Sequence, residues 1–485
     1  MCSNRNLIHP LEAWAMSCRN RSSFPVALVV ALVGVVLMAS GCSNRDLTGL
    51  EQARGNRNPL VFADGYDPDV YFQAFFQTHI TAVSVDSVFA HEGLAQNGAR
   101  SLKVNVPPSG SSLGLYSGGV LTSGGGRDLA DFNALTFYAR ASRSITVDFL
   151  GFGNDNTGAS RYEAGRGGVA LSTPWTFVVV PIPNSAKLLN ERGLFTFAEG
   201  LEAPYSDGYD LWFDDVHYAK LTNITDPRPI MPSSNKQYFV GSQATIGGTQ
   251  TTFDIDGVDV VVGHMPGYFD FNSSDPSVAR VAGTGIEVVG EGVATVTANL
   301  GPVSVNGEVT LNAYPAPAGP APAPTLPASD VVSLYSDAYS NNPVDTWNPH
   351  WTYSTAEEGT FVLDGDNMRS YSALNFVGIE FLGNKVDASG MDYFHIDVFA
   401  PFGSEFKVKF VVFSAGNGFL GQTELTFNAA SDPAFVPGQW SSLDIPLSDF
   451  TFQPAQESPW SSIGQLVLST ADAQLVLLDN MYWHR

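Results

Sequence analysis

The chain repeats one order of strand signals near its front and at its end, and this repeat limits the folds open to it. The front copy contains DLADFNALTFYARA, PWTFVVVPIP and DLWFDDVHY, and the end copy contains VDASGMDYFHIDVFA, GQWSSLDIPL and LVLLDNMYW. Trp175 stands as many residues before Asp214 as Trp440 stands before Asp479. Equal spacing across a strand, a loop and a final strand indicates one fold used twice.

Alternation of apolar and polar residues predicts that both copies are built from strands. Runs such as FKVKFVVF and QWSSLDIPLSDF have the two-residue period of half-buried strands, and Gly, Pro, Asn, Asp or Ser bound them. No long run with helical periodicity interrupts them. We therefore predict an all-β protein, with two β-sandwiches separated by a different β domain and a proline-rich linker.

The first residues have the layout of a secretory signal. Arg19 and Arg21 precede the apolar run VALVVALVGVVLMAS, which is short for a membrane span and ends in small residues before Cys42. The letters ASGC at 39–42 resemble a lipoprotein cleavage box. The resemblance implies that residues 1–41 are removed, that Cys42 is lipidated, and that the protein is anchored in the outer membrane at the cell surface. An ordinary signal peptide or a marginal membrane anchor is the alternative.

Charge and cysteine usage narrow the choice of partners. Asp and Glu number 48 against 24 Lys and Arg, which gives a formal net charge of −24. Such a chain repels nucleic acid and anionic lipid surfaces, but not neutral polysaccharide or divalent cations. We therefore predict no nucleic-acid partner. Of the three cysteines, only Cys42 would remain after cleavage, so the mature chain would contain no disulfide.

Changes in composition divide the chain into segments. The stretch PAPAGPAPAPTLPAS alternates proline with small residues and predicts a semi-rigid spacer of roughly 45 Å that holds the end of the chain apart from the rest. Within FDIDGVDVVV, the pair Asp256-Gly257 lies between two alternating runs and predicts a hairpin. The predicted segments are a signal peptide (1–41), a tether (42–59), a front module (60–221), a central module (224–314), a linker (315–329) and a last module (330–485).

The motifs SLYSDAY, PVDTW, YSALNFVGIEF, DASGMDYFHIDVFAP, FKVKFVVF, WSSLDIPLSDF and LDNMYW are spread over the last module. With them it resembles the modules attached to family 16 glycoside hydrolases of the laminarinase type, which also occur in surface glycan-binding lipoproteins. The resemblance implies a galactose-binding-like jelly roll whose surface holds sugar. The front module is similar, more loosely, to carbohydrate-binding jelly rolls. In the central module, FNSSDPSVARV and GEGVATVTANL resemble the bacterial Ig-like domain, group 2, which implies a spacer.

One loop of the last module offers the groups that a sugar site needs. Such sites combine flat rings, which stack on pyranose faces, with amides or carboxylates that bond hydroxyls. The alternative for Trp347 and Trp351 is that they plug one end of the sandwich. Trp175 and Trp440 each open a strand, and we expect them in the core. The candidate glycan contacts are Trp347, Trp351, Tyr353, Asp345, Asn348 and, in a later loop, Trp460.

Acidic residues near the module ends raise the question of calcium. In jelly-roll glycan binders, an acidic residue near the first strand commonly shares a structural Ca²⁺ with an aspartate of the last strand. The resemblance therefore implies that Asp64 and Asp67 pair with Asp215, and that Asp337 pairs with Asp479. Oxygen ligands of this kind suit Ca²⁺. The alternative is that these carboxylates only accept backbone hydrogen bonds at strand ends.

The sequence lacks the constellations that catalysis requires. The E-x-D-x-x-E run of family 16 catalytic domains is missing, as are H-E-x-x-H and C-x-x-C. We predict a non-catalytic surface lipoprotein that binds polysaccharide, with a neutral β-glucan of the laminarin (β-1,3) type favoured, near separate hydrolases or importers. The alternative is an adhesin or structural surface protein whose modules are spacers or protein-binding units.

Overall fold

A computed structural model describes residues 55–75, 95–98, 100–114 and 116–485. In these ranges the chain forms strands and short 3₁₀ turns, with no α-helix, and the predicted all-β fold is confirmed. No helix there is long and apolar enough to cross a membrane. The predictions for residues 1–41 and Cys42 lie outside the described residues. The 3₁₀ turns are Ser185–Lys187, Pro266–Tyr268, Ala328–Asp330, Leu382–Asn384, Leu447–Asp449 and Pro459–Ser461.

The front module is a sandwich of two sheets. Sheet I has the order β1-β12-β5-β10, with β3 also paired with β12, and sheet II contains β8-β7-β11-β4-β2. Phe137, Phe195 and Phe213 meet edge to face between the sheets. The strands are β1 (Leu60–Phe62), β2 (Val70–Ala74), β3 (Leu102–Val106), β4 (Tyr116–Arg127), β5 (Ala134–Ala141), β6 (Ile145–Val147), β7 (Phe149–Phe152), β8 (Ala164–Arg166), β9 (Val169–Leu171), β10 (Thr176–Pro181), β11 (Glu191–Gly200) and β12 (Tyr209–Ala219).

The central module contributes two further sheets. Sheet III has the order β14-β23-β21-β18, with β22 on β21, and sheet IV has the order β15-β20-β19. The strands are β13 (Ile224–Ile230), β14 (Ser234–Phe239), β15 (Gln243–Ala244), β16 (Gln250–Ile255), β17 (Val258–His264), β18 (Asp270–Ser273), β19 (Ala279–Ala282), β20 (Gly285–Val288), β21 (Gly292–Leu300), β22 (Val303–Ser304) and β23 (Val309–Tyr314).

Sheet II continues from the front module into the central module. β17 pairs with β8, so the full order is β13-β16-β17-β8-β7-β11-β4-β2. The turn between β16 and β17 is Asp256-Gly257, with φ of 54° and 82°, which confirms the predicted hairpin. Backbone hydrogen bonds therefore join the two modules across the boundary that composition suggested.

The last module is again a sandwich. Sheet V has the order β25-β26-β33-β28-β31, with β24 on β33, and sheet VI has the order β27-β32-β29-β30. Phe394, Phe410 and Trp483 meet in its core. The strands are β24 (Val331–Tyr335), β25 (Glu357–Leu363), β26 (Asp366–Ser372), β27 (Phe376–Glu380), β28 (Tyr393–Phe399), β29 (Glu405–Phe413), β30 (Phe419–Asn428), β31 (Trp440–Pro446), β32 (Ile463–Ser469) and β33 (Val476–His484).

The two jelly rolls share their topology, which confirms the predicted repeat. β12 lies between β5 and the pair β1 and β3, as β33 lies between β28 and the pair β24 and β26. The order β8-β7-β11-β4 in sheet II matches β30-β29-β32-β27 in sheet VI. The register of β12 shifts just after Asp214, and that of β33 shifts beside Asp479. Asp215 and Asn480 follow with φ of 48° and 50°. The two modules therefore share even the position of one β-bulge in the last strand.

The linker does not separate the last module from the rest, so that prediction is wrong. Residues 315–327 lie against the last module, because the outer face of sheet V is apolar and burying it is favourable. Three hydrogen bonds fix the linker there: Trp440 Nε1 donates to the carbonyl of Gly319 (2.9 Å), Asn480 Nδ2 to that of Pro322 (3.3 Å) and the Tyr339 hydroxyl to that of Leu326 (3.0 Å).

The central module covers the same face of sheet V. Phe239, which is 1% exposed, packs on Phe361 and Phe399 with ring centroids 5.7 Å and 5.9 Å away. Lys236 Nζ lies 2.8 Å from a carboxylate oxygen of Glu357. Residues 55–485 consequently form one compact unit and not separate domains joined by an extended linker.

Candidate functional site

The outer face of sheet VI is a regular grid of side chains. In β27, β29 and β32 every second residue enters the core, and the residues between them face outward. Strand register places Gly378, Val467 and Lys409 in one row across the sheet. The adjacent rows are Phe376, Ser469 and Lys407 on one side, and Glu380, Gln465 and Val411 on the other.

A groove of about 610 Å³ runs over this grid. Four aromatic side chains line it, and one of them, Phe419, is 56% exposed. Amide, hydroxyl and ammonium groups stand between the rings. The lining residues are Trp351, Asn375, Phe376, Lys409, Val411, Phe413, Phe419, Gln422, Gln465, Val467 and Ser469.

The Trp351 ring fits into the groove because residue 378, beneath it, is a glycine. A Cβ atom on Gly378 would lie 2.3 Å from the Cη2 atom of the indole, so the ring occupies the space that only glycine leaves open on β27. The ring also packs on Val411, Phe413 and Val467, which form a small apolar cluster outside the main core. The indole is therefore held in place before any ligand arrives.

Lys409, the charged residue of the groove lining, is paired. Its Nζ lies 3.0 Å from Glu424 Oε2, and Gln465 Nε2 donates to Glu380 Oε1 at 2.9 Å. The amides and the paired ammonium offer hydrogen bonds without an unpaired cation. Together with the four rings, this arrangement can stack on flat apolar ring faces and bond hydroxyl groups.

Trp347, the other loop tryptophan, lies in a packed position. The guanidinium of Arg369 is 4.0 Å from its ring centroid, and the ring of Tyr335 meets it edge-on at 5.5 Å. The hydroxyl of Tyr371 donates to the Trp347 carbonyl at 2.9 Å. The structure thus places Trp351 in the groove and Trp347 beneath the loop.

The remaining loop candidates shape the loop and do not line the groove. Asn348 is 6% exposed; its Nδ2 donates to the Ala356 carbonyl at 2.8 Å, and its Oδ1 accepts from the His350 backbone. Asp345 accepts from the Gly383 backbone at 2.8 Å. Tyr353 is 87% exposed at φ 72°. These contacts stabilise the loop that carries Trp351.

Trp460 lies at the edge of the sandwich core. Its ring meets Phe410, Phe450 and Phe452 edge to face, at centroid distances of 5.5, 5.6 and 5.1 Å. It lines no part of the groove. The structure gives Trp460 a packing position, away from the sugar contacts for which it was a candidate.

Trp175 and Trp440 were expected in the core, and that expectation is wrong. In β10, Val178 and Val180 are buried in the core, so alternation turns Trp175 to the outer face. Both tryptophans are half-buried there, and Trp440 packs against the linker. The phase of the alternation, rather than its presence, decides the side on which the first residue lies.

Acidic residues gather at the bulge of β33. Asp479 is 2% exposed, and burial together with the nearby charge of Asp366 raises its pKa from 3.8 to about 8. Asp366 is also electrostatically coupled to Asp337, whose carboxylate accepts from Asn367 at 3.0 Å. Oxygen-only groups that repel one another are a donor set that Ca²⁺ suits. Within the described ranges, however, no group of three or more His, Cys, Asp or Glu side chains is placed to enclose a metal ion.

In the front module, Asp214 rather than Asp215 occupies the position of Asp479. Asp214 is fully buried, its pKa is raised by burial, and its Oδ2 accepts from the backbone of Gln96 (2.7 Å) and Asn97 (3.0 Å). Asp64 accepts from the Arg100 backbone at 2.9 Å, and Asp215 accepts from the Asn97 side chain. These three carboxylates therefore fix the positions of Gln96, Asn97 and Arg100 by hydrogen bonds.

Sequence reasoning missed most of the groove and one of the acidic residues. Asp366 opens β26 and reaches Asp479 only through strand pairing. For the groove a signal was present: Val411 and Phe413 in FKVKFVVF, and Val467 in QLVLS, are apolar at outward positions of their strands. Apolar residues on the solvent side of a strand mark a face that binds or packs against something.

Similarity to known proteins appears at the level of solved structures. No protein-family model matches the chain, and no curated protein matches it. Among solved structures it is similar to SGBP-B from a complex xyloglucan utilization locus in Bacteroides uniformis, at 12% identity over 79% of this chain and 98% of that chain, with a TM-score of 0.22.

It is also similar to two carbohydrate-binding modules from Clostridium thermocellum. One is a family 11 module in complex with a β-1,3-1,4-mixed-linked tetrasaccharide, at 18% identity over 27% of this chain and 84% of that chain. The other is a family 30 module of the cellulosomal cellulase Cel9D-Cel44B, at 18% identity over 35% and 96%. Both TM-scores are 0.21, a value at which the likeness carries no argument about this chain.

Proposed function

We propose that this protein is non-catalytic and binds polysaccharide in the groove on sheet VI. The observation that carries the proposal is the fixed indole of Trp351 above Gly378, beside Phe376, Phe413 and Phe419. Rings held in this way stack on the apolar faces of sugars without a large cost in side-chain ordering. The amides and hydroxyls between them supply hydrogen bonds to sugar hydroxyls.

We infer that the ligand of this groove is neutral. Lys409, the charged side chain that lines it, is paired with Glu424, and the chain as a whole has a formal net charge of −24. A polyanion would gain no unpaired cation there and would meet long-range repulsion. The resemblance of the last module to laminarinase-type modules favours a β-1,3-glucan.

We further propose that the protein is lipid-anchored through Cys42 at the cell surface, where it would hold glycan near separate hydrolases or importers. The letters ASGC at 39–42 support this placement. Replacing Cys42 with Ser should move the protein from the membrane fraction to a soluble one. A variant that stays with the membranes after a salt wash would contradict the anchor.

Native affinity electrophoresis of the mature chain in gels containing laminarin, mixed-linkage β-glucan or xylan tests the groove. Trp351→Ala should weaken binding by about 1–3 kcal/mol, because it removes the central ring. Tyr353→Ala is the matched control, since Tyr353 is an exposed aromatic of the same loop that does not line the groove. No retardation by any neutral glucan would exclude the proposal and leave the adhesin alternative.

A further inference from the structure

The outer face of sheet I, in the front module, carries a row of alternating cations and indoles. Register places Trp212 between Lys103 on β3 and Arg140 on β5, and Trp175 stands just before β10 on the far side of Arg140. The cation-to-ring distances along the row are 5.9 Å, 5.2 Å and 5.8 Å. The guanidinium of Arg140 is thus held between two tryptophans.

A second row beside it exposes aromatic surface. Tyr138 and Phe177 are direct register partners, with ring centroids 5.2 Å apart, and Phe177 is 50% exposed. With the half-buried Trp175 they form a patch of rings next to Arg140. We call Arg140, Trp175, Phe177 and Tyr138 together the Arg140 patch.

Arg140 and the adjoining Trp212 each have a donor that lacks an acceptor among the described residues. Within the part of the chain that the structure describes, Arg140 contacts two indoles but forms no ion pair, and its buried Nε–H has no acceptor. Trp212, which is only 5% exposed, also has a buried Nε1–H without an acceptor. By contrast, Lys103 is paired with Asp210 at 3.1 Å.

The acidic side chains in the rows beside Arg140 are engaged elsewhere, Asp210 with Lys103. Asp214 lies in the neighbouring row, opposite Tyr138, but it is fully buried and accepts hydrogen bonds from the backbone of Gln96 and Asn97. In a chain with 48 acidic and 24 basic side chains, a half-buried arginine that has no carboxylate partner among the described residues marks a place where an anion would be favourable.

We propose that the Arg140 patch is a second binding site, for an anionic sugar residue that carries a carboxylate or a sulfate ester. The planar guanidinium pairs with either group through two parallel hydrogen bonds. Trp175 and Phe177 stack on the sugar ring beside the anion. The site lies on a different sheet and module from the groove, so it does not depend on the neutral-glycan proposal.

Matched polymers test the proposal on the whole mature chain. Polygalacturonate is compared with its methyl-esterified form, and dextran sulfate with dextran, by affinity electrophoresis and calorimetry. We expect one charged polymer to bind at least about tenfold more tightly than its uncharged counterpart, with binding that weakens as salt rises. The pair that shows the difference identifies the carboxylate or the sulfate as the anion.

Variants locate the site. Arg140→Gln and, separately, Phe177→Ala should each lose about tenfold or more of the charged-polymer binding, while Trp351→Ala should keep it. Phe177 is half exposed, so its variant remains informative where Arg140→Gln disturbs the fold. Equal binding to charged and uncharged polymers, no binding to either charged polymer, or full binding by both front-module variants would overturn the proposal.

Discussion

The front and last modules share a fold but present their candidate sites on different sheets. In the last module, the linker and Phe239 cover the outer face of sheet V, and sheet VI presents the groove. In the front module, the hairpin of β16 and β17 extends sheet II, while sheet I presents the Arg140 patch. A jelly roll has two outer faces, and in the last module the neighbouring segments decide which of them can meet a ligand.

The corresponding sheets also differ in the size of their side chains. The outward positions of sheet II include Gly118, Gly151 and Gly165, with the ring of Phe149 lying against the last two. The equivalent strands of sheet VI carry Phe376, Lys409 and Gln465 at outward positions. Shared topology therefore does not carry a shared binding site.

Uncovering sheet V gives the largest expected effect. Phe239→Ala should lower the free energy of unfolding by about 3–5 kcal/mol, because the ring packs between Phe361 and Phe399. Chemical denaturation measures the change, and small-angle scattering should show a larger radius of gyration. Val258→Ala, at a 63% exposed side chain, is the control. An unchanged midpoint and radius would contradict a covered face.

The second prediction concerns how calcium and pH affect the stability of the last module through Asp479, at the bulge of β33. Because burial raises the pKa of Asp479 to about 8 in the folded state, the contribution of this carboxyl to the stability of the cation-free protein is full below about pH 4 and is lost as the pH rises toward 8. We propose, from the family resemblance, that Ca²⁺ binds beside Asp479; at a hundredfold excess over its Kd it should add about 2.7 kcal/mol at pH 8.

Thermal melts with calcium and with chelator, from pH 4 to pH 8, measure both effects. Asp479→Asn should remove this part of the pH dependence and the response to calcium together. Identical melts with and without calcium at pH 8 would rule the ion out, and the buried carboxylate would then act through its hydrogen bond to the Asn480 backbone.

The smallest expected effect compares two Asp-Gly hairpin turns. Gly257 joins β16 to β17 at φ 82°, and Gly365 joins β25 to β26 at φ 88°. No atom lies within 4 Å of a Cβ built on either residue, so replacing either with Ala should cost only the backbone strain, about 1 kcal/mol. Gly359→Ala, without a positive φ, is the control. Equal midpoints for all three variants would show that the turns adapt.

Much of the fold could be predicted from the sequence because its signals are local. Alternation predicted the strands, Asp256-Gly257 predicted a hairpin, and equal spacing predicted two copies of one topology. Asp366 could not be found in this way, because β26 brings it to Asp479 only through long-range pairing. The docking of the linker was equally hidden, since its proline content describes its stiffness and not the surface it lies on.

The candidate site was only partly predictable from the sequence. The alternation within a strand separates core-facing from outward-facing residues, but it does not show which outward face another segment covers. Trp351 and Trp347 lie in one loop and look alike in sequence, yet one lines the groove and the other packs against Arg369. The difference depends on Gly378, whose contact with Trp351 no local pattern in the sequence shows. Contacts between distant segments set the role of each ring.

Gly378 also bears on how such a protein can change over generations. Every amino-acid replacement at a glycine codon adds at least one carbon atom, and that atom would meet the far end of the Trp351 ring, not the backbone of the sheet. A single base substitution could thus displace the indole while the strand keeps its pairing and its core. Descendants of such a gene would inherit an intact sandwich whose groove no longer binds its ligand. A duplicated module can thus lose one ligand by a single substitution and become free to acquire another.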